Sequence, residues 1–319
     1  VLLTDSDGDA ASDTLVIDIV DDQPIARDDT DALPSGGYGP ETGNVLSGDG
    51  TTSGTSGADT PGADGITVTA ISGVETSGAP GDEIFGMYGK LVMQSGGSYS
   101  YIRYEGTPGK VTDIFTYTIT DGDGDTDTAT LEIAIRDSGT TLDVPTSGEA
   151  GTAVSEKGLP ARAGESQGSG EEAAAGTNGD PSEATSGTIS FTAPDGPATI
   201  TIQGKDGPVV ITAAGQTVNG LSGALTIDSF NAATGTITYT YVLADNTSGD
   251  AASETFIVKV ADADDDSTTL NLVVSIADDV PTAADDAETQ SLENSPVTVD
   301  VLSNDVEGAD SVAPSAVSL

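Results

Sequence analysis

The chain has no cysteine, no histidine and no tryptophan, and only nine of its 319 residues are basic. Without imidazole or thiolate, zinc, iron and copper sites lose their usual ligands. The same absences exclude a thiol nucleophile, a Ser-His-Asp triad and an imidazole base. With no disulfides available, rigidity has to come from elsewhere, and bound metal is the expected source. Fifty-three acidic residues give a net charge of −44. That balance excludes a nucleic acid or an anionic membrane held by charge and favours bound cations. Carboxylate and carbonyl oxygens suit calcium or magnesium. No apolar run approaches the length of a membrane span, so no direct membrane insertion is expected. No secretion signal is visible at either end. The chain begins inside a strand-like pattern and stops at "APSAVSL", and so reads as a segment of something longer.

What the chain has is a repeat. Three segments, "TDSDGDAASDTLVIDIVDD" from Thr4, "TDGDGDTDTATLEIAIRD" from Thr120 and "ADADDDSTTLNLVVSIADD" from Ala261, carry the same marks in the same order, at spacings of 116 and 141 residues. An Asp-rich turn comes first: Asp5, Asp7 and Asp9; Asp121, Asp123 and Asp125; Asp262, Asp264 and Asp266. An alternating strand follows (Leu15, Ile17, Ile19; Leu131, Ile133, Ile135; Leu270, Leu272, Val274, Ile276), one face apolar because strand side chains alternate. An acidic junction ends each: "DDQPIARDD" at 21–29, "RDSGTTLDVP" at 136–145 and "ADDVPTAADD" at 277–286. "NVLSGD" at 44–49 and "DVLSND" at 300–305 follow the first and third junctions at similar distances.

Between these marks the pattern is strand throughout. Tyr99 and Tyr101, then Phe115, Tyr117 and Ile119, then Phe191, then Tyr239, Tyr241 and Leu243, then Phe256, Val258 and Val260 lie at period-two spacing between Gly, Asp, Asn and Pro turns. No stretch carries a convincing helical stripe. Residues 161–187 are mostly Gly, Ala, Glu and Ser, too poor in apolar groups to offset ordering entropy. They read as a mobile loop inside the second repeat, or alternatively as an interdomain linker, with "AVSEKGL" before them as an edge strand. The expected fold is all-β: tandem immunoglobulin-like β-sandwich domains in an extended rod. Residues 1–22 are assigned to the C-terminal strands of a preceding repeat, 23–137 to one repeat, 138–279 to a second, and 280–319 to the start of a further one.

In such a sandwich the turn of the last hairpin lies at the pole where the chain comes in, and so does the loop between the second and third strands. Asp121, Asp123 and Asp125 are therefore expected to face Asp21, Asp22, Asp28 and Asp29, with Asp49 near. Asp262, Asp264 and Asp266 are expected to face Asp137 and Asp143. Asp278, Asp279, Asp285 and Asp286 of the third junction would need a hairpin turn beyond Leu319, and the turn Asp5, Asp7 and Asp9 a junction before Val1. Carboxylates so gathered repel one another unless a divalent cation joins them. Calcium is preferred because it takes six to eight oxygens in flexible geometry. The likeness to an EF-hand loop is partial: Asp121, Asp123, Asp125 and Asp127 fit and Glu132 falls at the twelfth position, but Thr126 replaces the turn glycine, and Val16 and Val273 stand where the other copies would need Glu132. The plain reading, a soluble Asp-Gly turn, competes for any single copy, and three copies beside acidic junctions weigh against it.

The stretch "GMYGKLVMQSGGSYSYIRYEG" from Gly86, with "VTDIFTYTITDGDGDTDTATLEIAI" from Val111 to Ile135, "ARDDTD" before and "DDVPTAADD" after, resembles the Ig-like and VCBS-type repeats of giant bacterial RTX adhesins. The resemblance extends over nearly the whole chain and is fairly specific over 86–135. It implies an extender module of a calcium-dependent adhesin, type I secretion, and a location on the bacterial cell surface. Its implied partners are calcium ions and the neighbouring repeats of the same chain. The adhesion target lies outside what these residues specify. The Gly-rich nonapeptide calcium repeats of such proteins are absent.

Two other classes compete. A glycan- or surface-binding module would need Tyr88, Tyr99, Tyr101 and Tyr104 as an exposed aromatic platform, although their spacing fits core packing better. An enzyme would need paired carboxylates such as Asp82 and Glu83, yet neighbours on a strand point to opposite faces, and no enzyme is expected. Salt adaptation would scatter the acids over the surface instead of gathering them at junctions.

Overall fold

The structure is a computed structural model and describes residues 1–18, 20–162, 165–173, 179–247 and 252–311. The protein is all-β, in two compact units that divide between Arg136 and Asp137. In the first unit one sheet runs in the order Asp29–Leu33, Thr126–Ile135, Val111–Asp121, Ile66–Ser72, Ser77–Gly78, and the other in the order Glu41–Asn44, Ser98–Arg103, Gly89–Met93, Glu83–Phe85. In the second unit one sheet runs Thr141–Asp143, Ala184–Thr192, Thr236–Leu243, Gly223–Asn231, Thr217–Asn219, and the other Ala153–Ser155, Ser267–Ala277, Ala252–Ala261, Thr199–Gly204, Gly207–Ile211. Each pair of sheets encloses one hydrophobic core, as an immunoglobulin-like sandwich does.

Alternation builds these strands. Along Val111–Asp121, Phe115, Tyr117 and Ile119 are buried while Thr116 faces solvent, and Thr120 meets Thr69 across the strands at 2.8 Å between hydroxyls. The same inward run occurs at Tyr239, Tyr241 and Leu243 and at Phe256, Val258 and Val260. Tyr99 and Tyr101 are core residues too, so the aromatic platform considered above does not form. In both units a strand near the N-terminus pairs parallel with the last strand, Asp29 opposite Leu131 and Ala153 opposite Ser275.

The two cores share a buried polar device. A tight Gly-x-x-Gly turn, Gly86 to Gly89 or Gly220 to Gly223, is closed by a 2.8 Å backbone hydrogen bond in each unit. Tyr101 donates its hydroxyl to Asp113 at 2.7 Å, and Asp113 accepts the backbone N–H groups of Met87 and Tyr88. In the second unit Tyr241 donates to Glu254 at 2.6 Å, and Glu254 accepts the N–H of Leu221. A Cβ on Gly89 would lie 2.3 Å from the Tyr101 hydroxyl, and one on Gly223 2.4 Å from that of Tyr241, so glycine is required for this approach. Phe115 and Phe256 meet the two tyrosines edge-on, at 6.1 and 5.9 Å between ring centroids.

The described elements depart from the expected ones in three places. The strand at Leu15, Ile17 and Ile19 does not form: the first repeat shows a short hairpin, Leu2–Thr4 with Ala10–Ser12, and Leu15 and Ile17 are 70% and 72% exposed. Ile19 lies outside the described residues. Among the described residues no second layer covers this ribbon, and a lone two-stranded ribbon cannot bury an apolar face. Segment 161–187 is not loop throughout. Ser169–Ala173 form a helical turn, Pro181–Glu183 a 3₁₀ turn, and Ala184 onward the strand Ala184–Thr192. Buried Glu171 holds this segment by accepting the N–H groups of Gly179 and Asp180; residues 163–164 and 174–178 lie outside the described residues. From 280 to 311 the described chain contains no strand of a further sandwich, only a bridge between Thr282 and Val306, and Ala309 is buried against the second unit's core.

Phe115 is fully buried and the adjacent Ile114 is 52% exposed. Phe115→Ala should cost about 3–5 kcal/mol and Ile114→Ala within about 0.5 kcal/mol in urea unfolding. Equal losses would mean that the face assignment of this strand is wrong.

Candidate metal centres

Each Asp-rich turn is closed by its own first carboxylate. Asp5 Oδ1 accepts the N–H groups of Asp7, Gly8 and Asp9. Asp121 Oδ1 accepts those of Gly124 and Asp125 at 3.0 and 2.8 Å, and Asp262 Oδ1 accepts that of Asp266 at 3.0 Å. The fourth turn position has positive φ in all three copies: +103° at Gly8, +109° at Gly124 and 73° at Asp265. Asp265 is the non-glycine exception, and Asp tolerates this region better than most residues. With the first Asp engaged in the turn, the third and fifth residues are the ones whose carboxylates gather with a junction acid in two of the copies.

Two of these turns meet the incoming chain at equivalent places. Carboxylate oxygens of Asp21, Asp123 and Asp125 lie within 4.8 Å of one another, as do those of Asp137, Asp264 and Asp266. Asp21 and Asp137 each stand six residues beyond the first leucine of the repeated strand pattern, Leu15 and Leu131. Neighbouring hydrogen bonds fix the approach. Gln23 donates to Asp125 at 3.2 Å, Ala26 N–H to Asp127 at 2.8 Å, and Thr130 donates its N–H and hydroxyl to Asp28. In the second unit Thr268 donates to the carbonyl of Thr140 at 2.8 Å.

The electrostatics show the crowding. The nearness of Asp121, and next of Asp21, pushes the Asp123 carboxyl up to about 6. Burial, and next the nearness of Asp264, pushes Asp262 up to about 6, and its buried Oδ2 has no hydrogen-bond partner. An all-oxygen, all-carboxylate donor set of this kind suits calcium and does not suit zinc or copper.

The remaining residues of the expected sites are placed differently. Asp29 is buried, accepts from Ser53 at 2.7 Å and lies beside the Tyr117 hydroxyl. Asp22 and Asp143 are exposed and join no cluster, and Asp49 bonds Ser47. Asp5, Asp7 and Asp9 gather on the exposed turn of the first hairpin. Of the third junction, Asp278 lies with Glu156 and Asp310. Asp279 is buried and accepts the N–H and hydroxyl of Ser169 at 2.6 and 2.5 Å. Asp285 and Asp286 are exposed and outside these clusters. Asp82 accepts from Ala79 N–H and Glu83 pairs with Lys90, so the two do not converge.

Four acids were not singled out from the sequence. Asp59 lies between the strands Glu41–Asn44 and Ile66–Ser72, and Asp195 between Ala184–Thr192 and Thr199–Gly204, each in the loop that leads into the strand paired with its unit's penultimate strand. They accept a backbone N–H from the incoming chain, at Arg27 (2.7 Å) and at Ser138. An acid within each of these loops is the signal that marks them. Glu156 and Asp310 carry no such signal, because each meets its neighbours only through the fold.

No family model matches the chain, and no curated protein matches it. Among solved structures it is similar to an endo-fucoidan hydrolase from glycoside hydrolase family 107, at 15% identity over 86% of this chain and 33% of that one, with a TM-score of 0.27. It is similar to the protocadherin GammaB4 extracellular domain at 13% identity over 89% of this chain and 43% of that one, TM-score 0.32. The D00-D0 domain of intimin aligns at 13% identity over 66% of this chain and 100% of that one, TM-score 0.22. The chain thus spans less than half the length of the first two. Likenesses at these scores bear on neither family nor function. No helix among the described residues is long and apolar enough to cross a membrane.

Burial, ahead of all other causes, pushes the Asp29 and Asp59 carboxyls up to about 6 from an ordinary 3.8. Between about pH 6 and 4 the folded chain then binds protons that the unfolded chain does not, so these two acids add stability as pH falls through that window and subtract it above. In calcium-free calorimetric scans from pH 7 to pH 4.5, Asp59→Asn should flatten the acid-side rise in melting temperature. An unchanged pH slope would show that Asp59 is not held in this way.

Proposed function

We propose that the chain is a stretch of tandem sandwich modules from a calcium-dependent bacterial surface adhesin, serving as an extender, in which calcium fastens the chain coming into each sandwich to the turn of that sandwich's final hairpin. The observation that carries this reading is the recurrence of one ligand set at one place. A junction Asp with the third and fifth residues of the turn occurs as Asp21, Asp123 and Asp125, and again as Asp137, Asp264 and Asp266. One such triad on an acidic protein is unremarkable; the same positions in both units argue for a common purpose.

Three carboxylates supply negative charge and flexible oxygen donors, which suit calcium better than magnesium, whose tight octahedral shell is rarely built from protein groups alone. The ion would neutralise the crowding that raises Asp123, and would add binding energy to the folded state only. Fixing the incoming segment at each sandwich gives successive modules a set starting point, which is what a spacer requires. The adhesin context and the extracellular, bacterial-surface location rest on the resemblance of residues 86–135, and the neighbouring repeats of the same chain are the proposed partners.

Calorimetric titration of chelator-treated protein with calcium chloride tests the reading. Asp123→Asn and Asp264→Asn should each remove one binding event, and calcium at one hundred times its dissociation constant should stabilise by about 2.7 kcal/mol per site. Magnesium should raise the melting temperature less. Identical melting curves in calcium and in chelator would sink the proposal.

A further inference from the structure

We propose a divalent-cation site of a different make in the second unit, at Glu156, Asp278 and Asp310, which staples residues 306–311 back on to the sandwich. It goes beyond the function proposed above, because no residue of an Asp-rich turn takes part.

The fold brings the three acids together by separate routes. Ala153–Ser155 pairs parallel with Ser275–Ala277, Ser155 opposite Ala277, so Glu156 and Asp278 leave the sheet side by side as the next residues of the two strands. Asp278 is the third-repeat counterpart of Asp21 and Asp137, seventeen residues beyond Ala261 as they are beyond Thr4 and Thr120. Asp310 arrives by a reversal of the chain. The Thr282–Val306 bridge turns it back, and Gly308 at φ +72° passes so close to Asp279 that a Cβ there would lie 2.3 Å from the Asp279 carbonyl. Ala309 is buried, and its carbonyl accepts from Arg162 Nη2 at 3.1 Å. Carboxylate oxygens of Glu156, Asp278 and Asp310 then lie within 4.8 Å of one another.

The second observation is the state of Glu156. Its side chain is fully buried, with 0% of the residue exposed. Oε1 accepts the N–H and hydroxyl of Thr247 at 2.7 and 2.8 Å, while Oε2 is buried with no hydrogen-bond partner. A buried carboxylate oxygen without a partner calls for a cation or a proton. The guanidinium of Arg162 pairs with Glu165 and Asp245, and among the described residues no ion pair reaches the three acids. Asn246 donates to Asp310 Oδ1, holding that carboxylate in place. Two further carboxylates beside the Glu156 carboxylate favour a divalent cation over a single proton, which would leave their charges facing one another. Three hard oxygen donors from three segments of chain select calcium as the probe.

Hydrogen exchange on the full chain, with calcium chloride and with chelator, tests the site through peptides covering residues 304–311. Calcium should slow exchange there at least tenfold. Glu156→Gln should abolish that slowing, and so should Asp310→Asn, whose exposed position keeps the test valid if the buried variant fails to fold. Asp264→Asn, which addresses only the turn site, should leave it intact. Equal exchange in calcium and chelator, or calcium protection that survives Asp310→Asn, would overturn the staple, whatever the turn sites do. Protection of 304–311 without calcium binding at the turns would overturn the function proposed above and leave this site standing.

Discussion

A strand near the start of each sandwich pairs parallel with its last strand, and that pairing constrains the rest of the structure. A parallel partner must begin at the end where the last strand begins, which is the end occupied by the final hairpin's turn. The incoming chain therefore has to pass the Asp-rich turn before it can join the sheet. Asp28 bonding Thr130 and Thr140 bonding Thr268 are the contacts of that passage. Acids placed on both the junction and the turn are brought into each other's field by the topology alone.

The turn itself divides labour among its aspartates. The first is a backbone acceptor, because the N–H groups of a tight turn have no strand partner and an Asp side chain can accept them from within the turn. The carboxylates of the third and fifth lie beside the junction acid instead. A motif that looks uniform in one dimension thus holds two kinds of aspartate, one structural and one available to a cation.

Two buried acids in the cores follow a stricter rule. Asp113 and Glu254 lie among apolar side chains but are surrounded by donors, a tyrosine hydroxyl and the N–H groups of a Gly-x-x-Gly turn. Removing one partner would leave a buried acceptor unsatisfied, which costs more than the hydrogen bond contributes. Glu156 departs from this rule at one oxygen, and that departure is what distinguishes its surroundings from a merely acidic surface.

How much of this was legible in one dimension differs by level. Alternation told which residues of Val111–Asp121, of Thr126–Ile135 and of Ser267–Ala277 from Leu272 onward face inward, because side-chain direction along a strand depends only on position, whereas Leu270, expected on the same face, is 39% exposed. It failed at Leu15 and Ile17, where the same alternation has no second sheet to cover it. The repeat placed the turns and junctions of both clusters, and so pointed to Asp21, Asp123 and Asp125 and to Asp137, Asp264 and Asp266. It did not separate the first Asp of each turn from the others, nor tell that Asp29 and Asp279 face inward to hydroxyl groups, since those distinctions depend on which donor the fold brings near. The Gly-x-x-Gly turns with their Tyr and acid partners were present as letters, but their spacing differs between the two units, so only the packed core reveals them as one device. Glu156 and Asp310 stand 154 positions apart in a chain rich in acids. Sequence by itself determined the strands, the acidic turns and the oxygen-only chemistry. Tertiary structure alone decided which carboxylates meet, because a cluster of charges is fixed by distances across the fold and not by neighbours along the chain.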